Sequence, residues 1–451
     1  MKKIFLLAIL IIATSQLLFA QNSIAKLKYE EAEEAYSLNN FELVLNKIKE
    51  VEILLKSTNP KLLHLKILAL DQLVKQPAFK NDPELVAELL KDGALYLKKY
   101  VNLESNEEKY REVFIISETK EYKDGELLYK KAQSGDSTAQ LNMAKYYESK
   151  KRFDPAIEWY EKMAFKGSID AMYQLGFIYQ LQKKDFINSV KWHEMAAAKG
   201  SKKSMVRLGE TYQFGFQITP INIDKAIDWF KKAAELKSIE AMSKMGDIII
   251  KGKRTEINGN TALEWFSKAL LIKPENREDT FDLCGVYIRI IDLYYTGKAL
   301  EKNYTKAEEY AKKGIQFISS ENSLNANNYT AVFLSDLGDI YKAGGFGIKQ
   351  DYIKAFNYYT ESANKWKARP IIALGEMYQN GLGIKKDKQK AQEISNKAIT
   401  YFTPRADKGN VYSIEQLVEI YEKGIGVKKD PALAKEWKAK AEAQKVKETN
   451  Q

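Results

Sequence analysis

The chain has 451 residues, with 71 lysines and arginines against 60 acids, a net charge of +11, two histidines and one cysteine. A single cysteine excludes an internal disulfide framework, and two histidines leave little for a histidine-rich metal site. The basic excess alternates with acids along helical stretches, without arginine blocks or aromatic–basic interleaving, which excludes a nucleic-acid module.

Residues 1–20, MKKIFLLAILIIATSQLLFA, combine a basic start, an apolar run and an alanine at a cleavable position. This pattern predicts a signal peptide cut after Ala20, leaving Gln21 first, a net charge of +9 and no membrane anchor. No cysteine stands beside the cut to take a lipid. The expected destination is the periplasm or the exterior. Region 21–122 reads as helices throughout. Ile24–Tyr36 and Phe41–Leu55 form a pair around the turn Leu38–Asn40, Pro60 opens Lys61–Val74, and Asp82 and Pro83 open a helix that ends near Leu97 or Tyr100. Glu104–Lys109 marks a boundary before a short helix, Tyr110–Ser117. Gly125 and Gly135 are expected to flank the helix that leads into the next region. These front helices resemble degenerate tetratricopeptide units.

From 123 to 443 one frame recurs eight times. Its anchors are Ala144, Gly176, Gly209, Gly246, Ile291, Gly338, Gly375 and Val418, and three residues later stand Tyr147, Tyr179, Tyr212, Ile249, Tyr294, Tyr341, Tyr378 and Tyr421. A second frame pairs a small residue with an aromatic three positions on, as in Ala156/Trp159, Ser189/Trp192, Ala226/Trp229, Ala262/Trp265 and Ala434/Trp437. Small residues let helices approach closely while aromatics fill the seam. Each repeat is therefore expected to be an antiparallel helix pair that needs its neighbours for burial. A polar tail, 444–451, follows.

These residues carry a resemblance. LGEMYQNGLGIKKD (Leu374–Asp387), LVEIYEKGIGVKKD (Leu417–Asp430) and AIDWFKKAA (Ala226–Ala234) are similar to the repeat of the Sel1-like family, relatives of the tetratricopeptide solenoids. The resemblance implies an all-α, right-handed superhelical solenoid and a scaffold for protein contacts. Some secreted, cysteine-paired members act on cell-wall-related ligands, but Cys284 alone cannot supply their bridges and is expected in the core. A cell-wall hydrolase or transferase and a structural adaptor in an envelope assembly remain the alternative readings.

Reactive constellations are absent from the sequence. His64 and His193 lie far apart, with His193 expected at a surface or interface, and there is no HExxH, CxxC or nucleophile elbow. The chain is therefore read as a non-enzyme without cofactor or metal. GGFG (Gly344–Gly347), GLG (Gly381–Gly383) and GIG (Gly424–Gly426) follow helices and read as turns, with Asp351, Asp387 and Asp430 capping the next helix. The polar insertions Lys273–Phe281 and Ser319–Asn328 read as loops. The regular tryptophans read as packing, whereas Trp366 falls outside the frame and is a candidate contact residue. Immediately after the anchors come Glu210, Asp247, Asp292, Asp339, Glu376 and Glu419, six acids in succession. Two readings of this stripe stay open. It keeps the helices soluble or caps them locally, or it binds a basic segment of a partner along a curved surface.

Overall fold

The computed structural model describes residues 2–100, 107–216, 220–252, 257–365 and 370–450, with side chains between 20 and 444. Every regular element among them is an α-helix, and no sheet is present. The signal segment, apart from Ala20, and Trp366 fall outside the described side chains. The chain divides into two compact units, Met1–Trp192 and His193–Gln451.

In the first unit, α1 (Lys2–Ser37) and α2 (Phe41–Leu55) pack as the expected pair, followed by α3 (Pro60–Leu73), α4 (Pro83–Lys99), α5 (Glu107–Ser117) and α6 (Lys120–Gln133). Asn39 takes a left-handed conformation at the first turn, and Asn40 caps α2 by accepting from the Leu43 N–H. Gly125 does not open α6 but sits inside it, facing Pro83 and Val86 of α4. The helix starts instead after Thr119. The first repeat, α7 (Ser137–Ser149) and α8 (Phe153–Phe165), is tied to α4 through the fully buried Asp82. This carboxylate caps α4, accepts from the Tyr147 hydroxyl at 3.0 Å and pairs with Arg152. The Arg152 guanidinium is itself sandwiched near Phe79 and Tyr147. Next come α9 (Ile169–Leu181) and α10 (Phe186–Ala198), which crosses into the second unit.

The second unit continues as pairs: α11 (Lys202–Phe214) with α12 (Ile223–Glu235), α13 (Ile239–Lys251) with α14 (Gly259–Leu270), and α15 (Arg277–Thr296) with α16 (Tyr304–Ile318). Then follow α17 (Leu324–Ala343) with α18 (Tyr352–Lys365), α19 (Ile371–Asn380) with α20 (Lys388–Ala406), and α21 (Val411–Lys423) with α22 (Pro431–Asn450). A polar side chain starts nearly every one. Ser201, Ser238 and Asn410 each accept the N–H three residues on, satisfying a donor that the helix itself cannot. Asp351, Asp387 and Asp430 do the same for α18, α20 and α22, as the sequence indicated.

Two expectations are corrected here. The insertions are not loops throughout: Asn276 and Ser323 cap new starts, so α15 and α17 run 20 residues against the 13 of α11 and α13. About two extra turns absorb the added length, with Arg277, Glu278 and Asn325 exposed on them. The tryptophans are not uniformly the seam fillers either. Trp159, Trp192 and Trp437 are buried, but Trp229 and Trp265 are only half-buried, and the residue after each takes the core place. Phe230 lies against Gly209, Phe266 against Gly246 and Tyr359 against Gly338, so close that a Cβ at the glycine would collide with the ring. Lysines cover the outer faces of Trp229 and Trp265 at 4.2 and 4.8 Å from the ring centres.

Candidate functional site

All six acids of the stripe lie in the second unit, each on the first helix of its pair. The anchor packs inward and the next residue, one helical step round, emerges at the boundary of the buried face. Glu210, Asp247, Asp339, Glu376 and Glu419 are consequently half-buried, and only Asp292 is exposed.

Most of these carboxylates are already engaged within the chain. Glu210 on α11 pairs with Arg207 on its own helix and with Lys244 on α13, while Arg207 also reaches Glu240 on α13. Asp247 on α13 accepts from Arg289 Nε on α15 at 2.8 Å. Glu376 on α19 pairs with Lys342 on α17. Apart from Glu210–Arg207, each of these contacts joins one repeat to the next. Lys244 and Arg289 stand two residues before their own anchors, so the same face supplies an acid to one neighbour and a base to the other. Asp339 instead accepts from the buried Tyr359 hydroxyl at 2.6 Å, within its repeat, and Glu419 pairs with Lys423 at 2.7 Å on its own helix. Asp292 has no cationic partner among the described residues. Half-burial weakens solvent screening and makes the inter-repeat pairs more than decoration, though each contributes only about 1 kcal/mol.

The reactive groups elsewhere are sequestered. Cys284 is fully buried, and burial pushes its thiol up to about 12, so it is a core residue as expected. His64 is largely buried against Glu112 at 3.0 Å. His193 is not at a surface: it is 1 % exposed, with Nδ1 3.3 Å from the Ser204 hydroxyl. Burial, and then the Arg207 charge, bring its pKa down to about 4. A residue that sequence reasoning passed over is Asp282 on α15. Burial together with Glu240, Glu278 and Asp279 raises it to about 7, against the opposing pull of Arg289. The signal lay in REDTFD, where three acids fall within one turn and a half of helix. Among the described residues no group of three or more His, Cys, Asp or Glu is placed to hold a metal ion, and no helix is long and apolar enough to cross a membrane.

The geometry of the described residues is that of stacked helix pairs, and the family comparison finds the same repeat. The Sel1 repeat matches residues 137–168, 169–201, 202–238, 239–271, 284–316, 332–365, 371–400 and 419–445, together more than half of the chain. A protein of Neisseria meningitidis serogroup B is 25% identical over 267 residues, a match that takes in 56% of each chain, so this chain spans about half the length of that relative. A Sel1 repeat protein from Oxalobacter formigenes is 22% identical, with a TM-score of 0.42, over 60% of this chain and 96% of the other. A protective antigen of uropathogenic Escherichia coli is 19% identical, with a TM-score of 0.37, over 87% and 91%. The eight matched repeats coincide with the eight helix pairs from α7 to α22. The chain belongs to the Sel1-repeat family, tetratricopeptide-like helical solenoids that are non-catalytic interaction modules.

Proposed function

We propose that this chain is an exported scaffold that holds another protein of the cell envelope in a stable complex. The observation that carries the reading is the run of eight consecutive repeats, in which Cys284 and His193 are buried and most of the acids that follow the anchors are engaged within the chain. Repeat arrays offer large surface per residue, and with no reaction centre that surface is their working part. Export rests on the composition of residues 1–20, and mature protein beginning at Gln21 in a periplasmic or extracellular fraction tests it. The scaffold reading is tested by crosslinking intact cells and capturing the chain. One protein in fixed stoichiometry is expected. Turnover of a cell-wall substrate by the purified chain, or recovery of the chain alone under every crosslinking condition, contradicts the reading.

A further inference from the structure

Four turns of the second unit, each joining the first helix of a repeat to its second, stack into one continuous edge. The Gly259 N–H at the start of α14 donates to the Ala299 carbonyl of the next turn at 3.1 Å, and the Tyr304 N–H at the start of α16 donates to Phe346 at 3.0 Å. Gly383 lies against the backbone of Tyr352, and the Gly426 N–H donates to the Gln379 side chain at 2.6 Å. Glycine is required at Gly347, Gly383 and Gly426, where φ is positive and the second helix of the preceding repeat leaves no room for a Cβ. The edge is therefore held by backbone hydrogen bonds, one side-chain acceptor and close approaches at glycine.

Its charge is lopsided. Segments 297–306, 344–354, 381–390 and 424–430 contain eleven lysines and four acids. Three of those acids, Asp351, Asp387 and Asp430, are occupied as helix caps. Lys302, Lys349, Lys385, Lys386, Lys428 and Lys429 are exposed and enter no ion pair among the described residues. Grooves open between successive turns with the same lining one repeat apart. The first has Tyr294, Lys302, Lys306 and Phe346 beside Glu301 and Glu309, the latter paired with Lys313, and the second has Tyr341, Lys349 and Lys354 beside the capping Asp351. In both, the lysine ammonium sits about one ring width from the tyrosine, at 5.2 Å for Lys306 over Tyr294 and 4.9 Å for Lys354 over Tyr341. Phe346 and Ile353 add exposed apolar surface at the rims.

We infer that this lysine–tyrosine edge of the second unit binds an acidic, extended polypeptide segment. The charge sign selects a partner rich in Asp and Glu, and the recurrence of one groove per repeat suits a chain lying along the edge. The tyrosine floors are recessed, with Tyr294 and Tyr341 only 6% and 8% exposed, so side chains can enter where a flat anionic membrane would meet the lysine tips alone. The inference rests on the scaffold reading and adds the chemistry of the partner.

The test uses the full chain and fluorescence anisotropy with a short labelled poly-L-glutamate peptide, at low and high salt. Phosphatidylglycerol vesicles serve as the second probe. Binding that weakens with salt is expected, together with a loss of about tenfold for Lys349→Gln, Lys386→Gln and Lys429→Gln combined. Equal charge removed at the turns between repeats, by Lys202→Gln, Lys237→Gln and Lys273→Gln, should change affinity less than about twofold. Circular dichroism confirms that both variants are folded. Equal losses in the two variants, no peptide binding, or vesicle binding without peptide binding overturns the inference. A captured envelope partner that binds the edge variant as tightly as the wild type also overturns it, while leaving the scaffold reading in place.

Discussion

Replacing Phe266 by alanine should destabilise the second unit by about 3–5 kcal/mol, because the ring is fully buried against Gly246 and the cavity cannot collapse between two packed helices. Gly246→Val attacks the same contact from the other side. Its branched side chain would overlap the Phe266 ring, costing about 3 kcal/mol or more unless the helices separate. The double variant puts the added methyls into the space the ring vacates, so its cost should fall well below the sum of the two. Trp265→Ala removes a larger but half-exposed side chain and should cost less than Phe266→Ala. Urea unfolding followed by circular dichroism checks all four. Additive costs, or a tryptophan effect larger than the phenylalanine effect, would show that the seam is not where the packing places it.

Acidification should destabilise the protein between about pH 6.5 and pH 4 through His193. Its folded pKa of about 4 lies below the ordinary value of 6.5, so the unfolded chain takes the proton first as pH falls. The stabilisation from keeping His193 neutral is thus complete above pH 6.5 and lost progressively toward pH 4, up to about 3 kcal/mol. Asp282 works in the opposite sense. Its raised pKa, about 7, means that the folded state takes up a proton before the unfolded state, and its contribution is full below pH 3.8 and lost as pH rises through 7. The measurement is the pH dependence of unfolding free energy for wild type, His193→Gln and Asp282→Asn. The His193→Gln difference from wild type should change across pH 6.5 to 4, and Asp282→Asn should gain stability relative to wild type above pH 7, by about 1–2 kcal/mol given its partial solvent exposure. A His193→Gln difference that stays constant with pH would contradict the buried neutral imidazole.

The fold was legible because its determinants repeat. A single Leu-Gly-x-x-Tyr stretch such as Leu337–Tyr341 can be misread, but eight copies of the register, with substitutions at Ala144, Ile291 and Val418, point to one helix-pair arrangement. Caps such as Asp387 were equally readable, since a carboxylate after a glycine turn has an immediate local role. Tertiary position was not. The choice between Trp229 and Phe230 for the core depends on a rotation of roughly one residue, about 100° of helix, that the apolar pattern of AIDWFKKAA does not settle. Polar insertions looked like loops because composition does not reveal a cap placed two turns early, at Asn276 and Ser323. The candidate site was read in part. Six acids in one register were visible, but their partners Lys244, Arg289 and Lys342 lie about 34 to 42 residues away in sequence. Pairing across repeats is set by stacking, which a single repeat does not show.

Glu210, Asp247 and Glu376 join repeat to repeat, and the proposed scaffold meets its partner elsewhere. The most direct measurement combines Glu210→Gln, Asp247→Asn and Glu376→Gln in one chain and follows both thermal unfolding and affinity for the captured envelope partner. Each substitution leaves a half-buried lysine or arginine without its carboxylate, at about 1 kcal/mol apiece. A lower melting temperature, a deficit that narrows at high salt, and unchanged affinity of the folded protein are expected. An unchanged melting temperature with weakened, less salt-sensitive partner binding would contradict this and assign the acids to the partner.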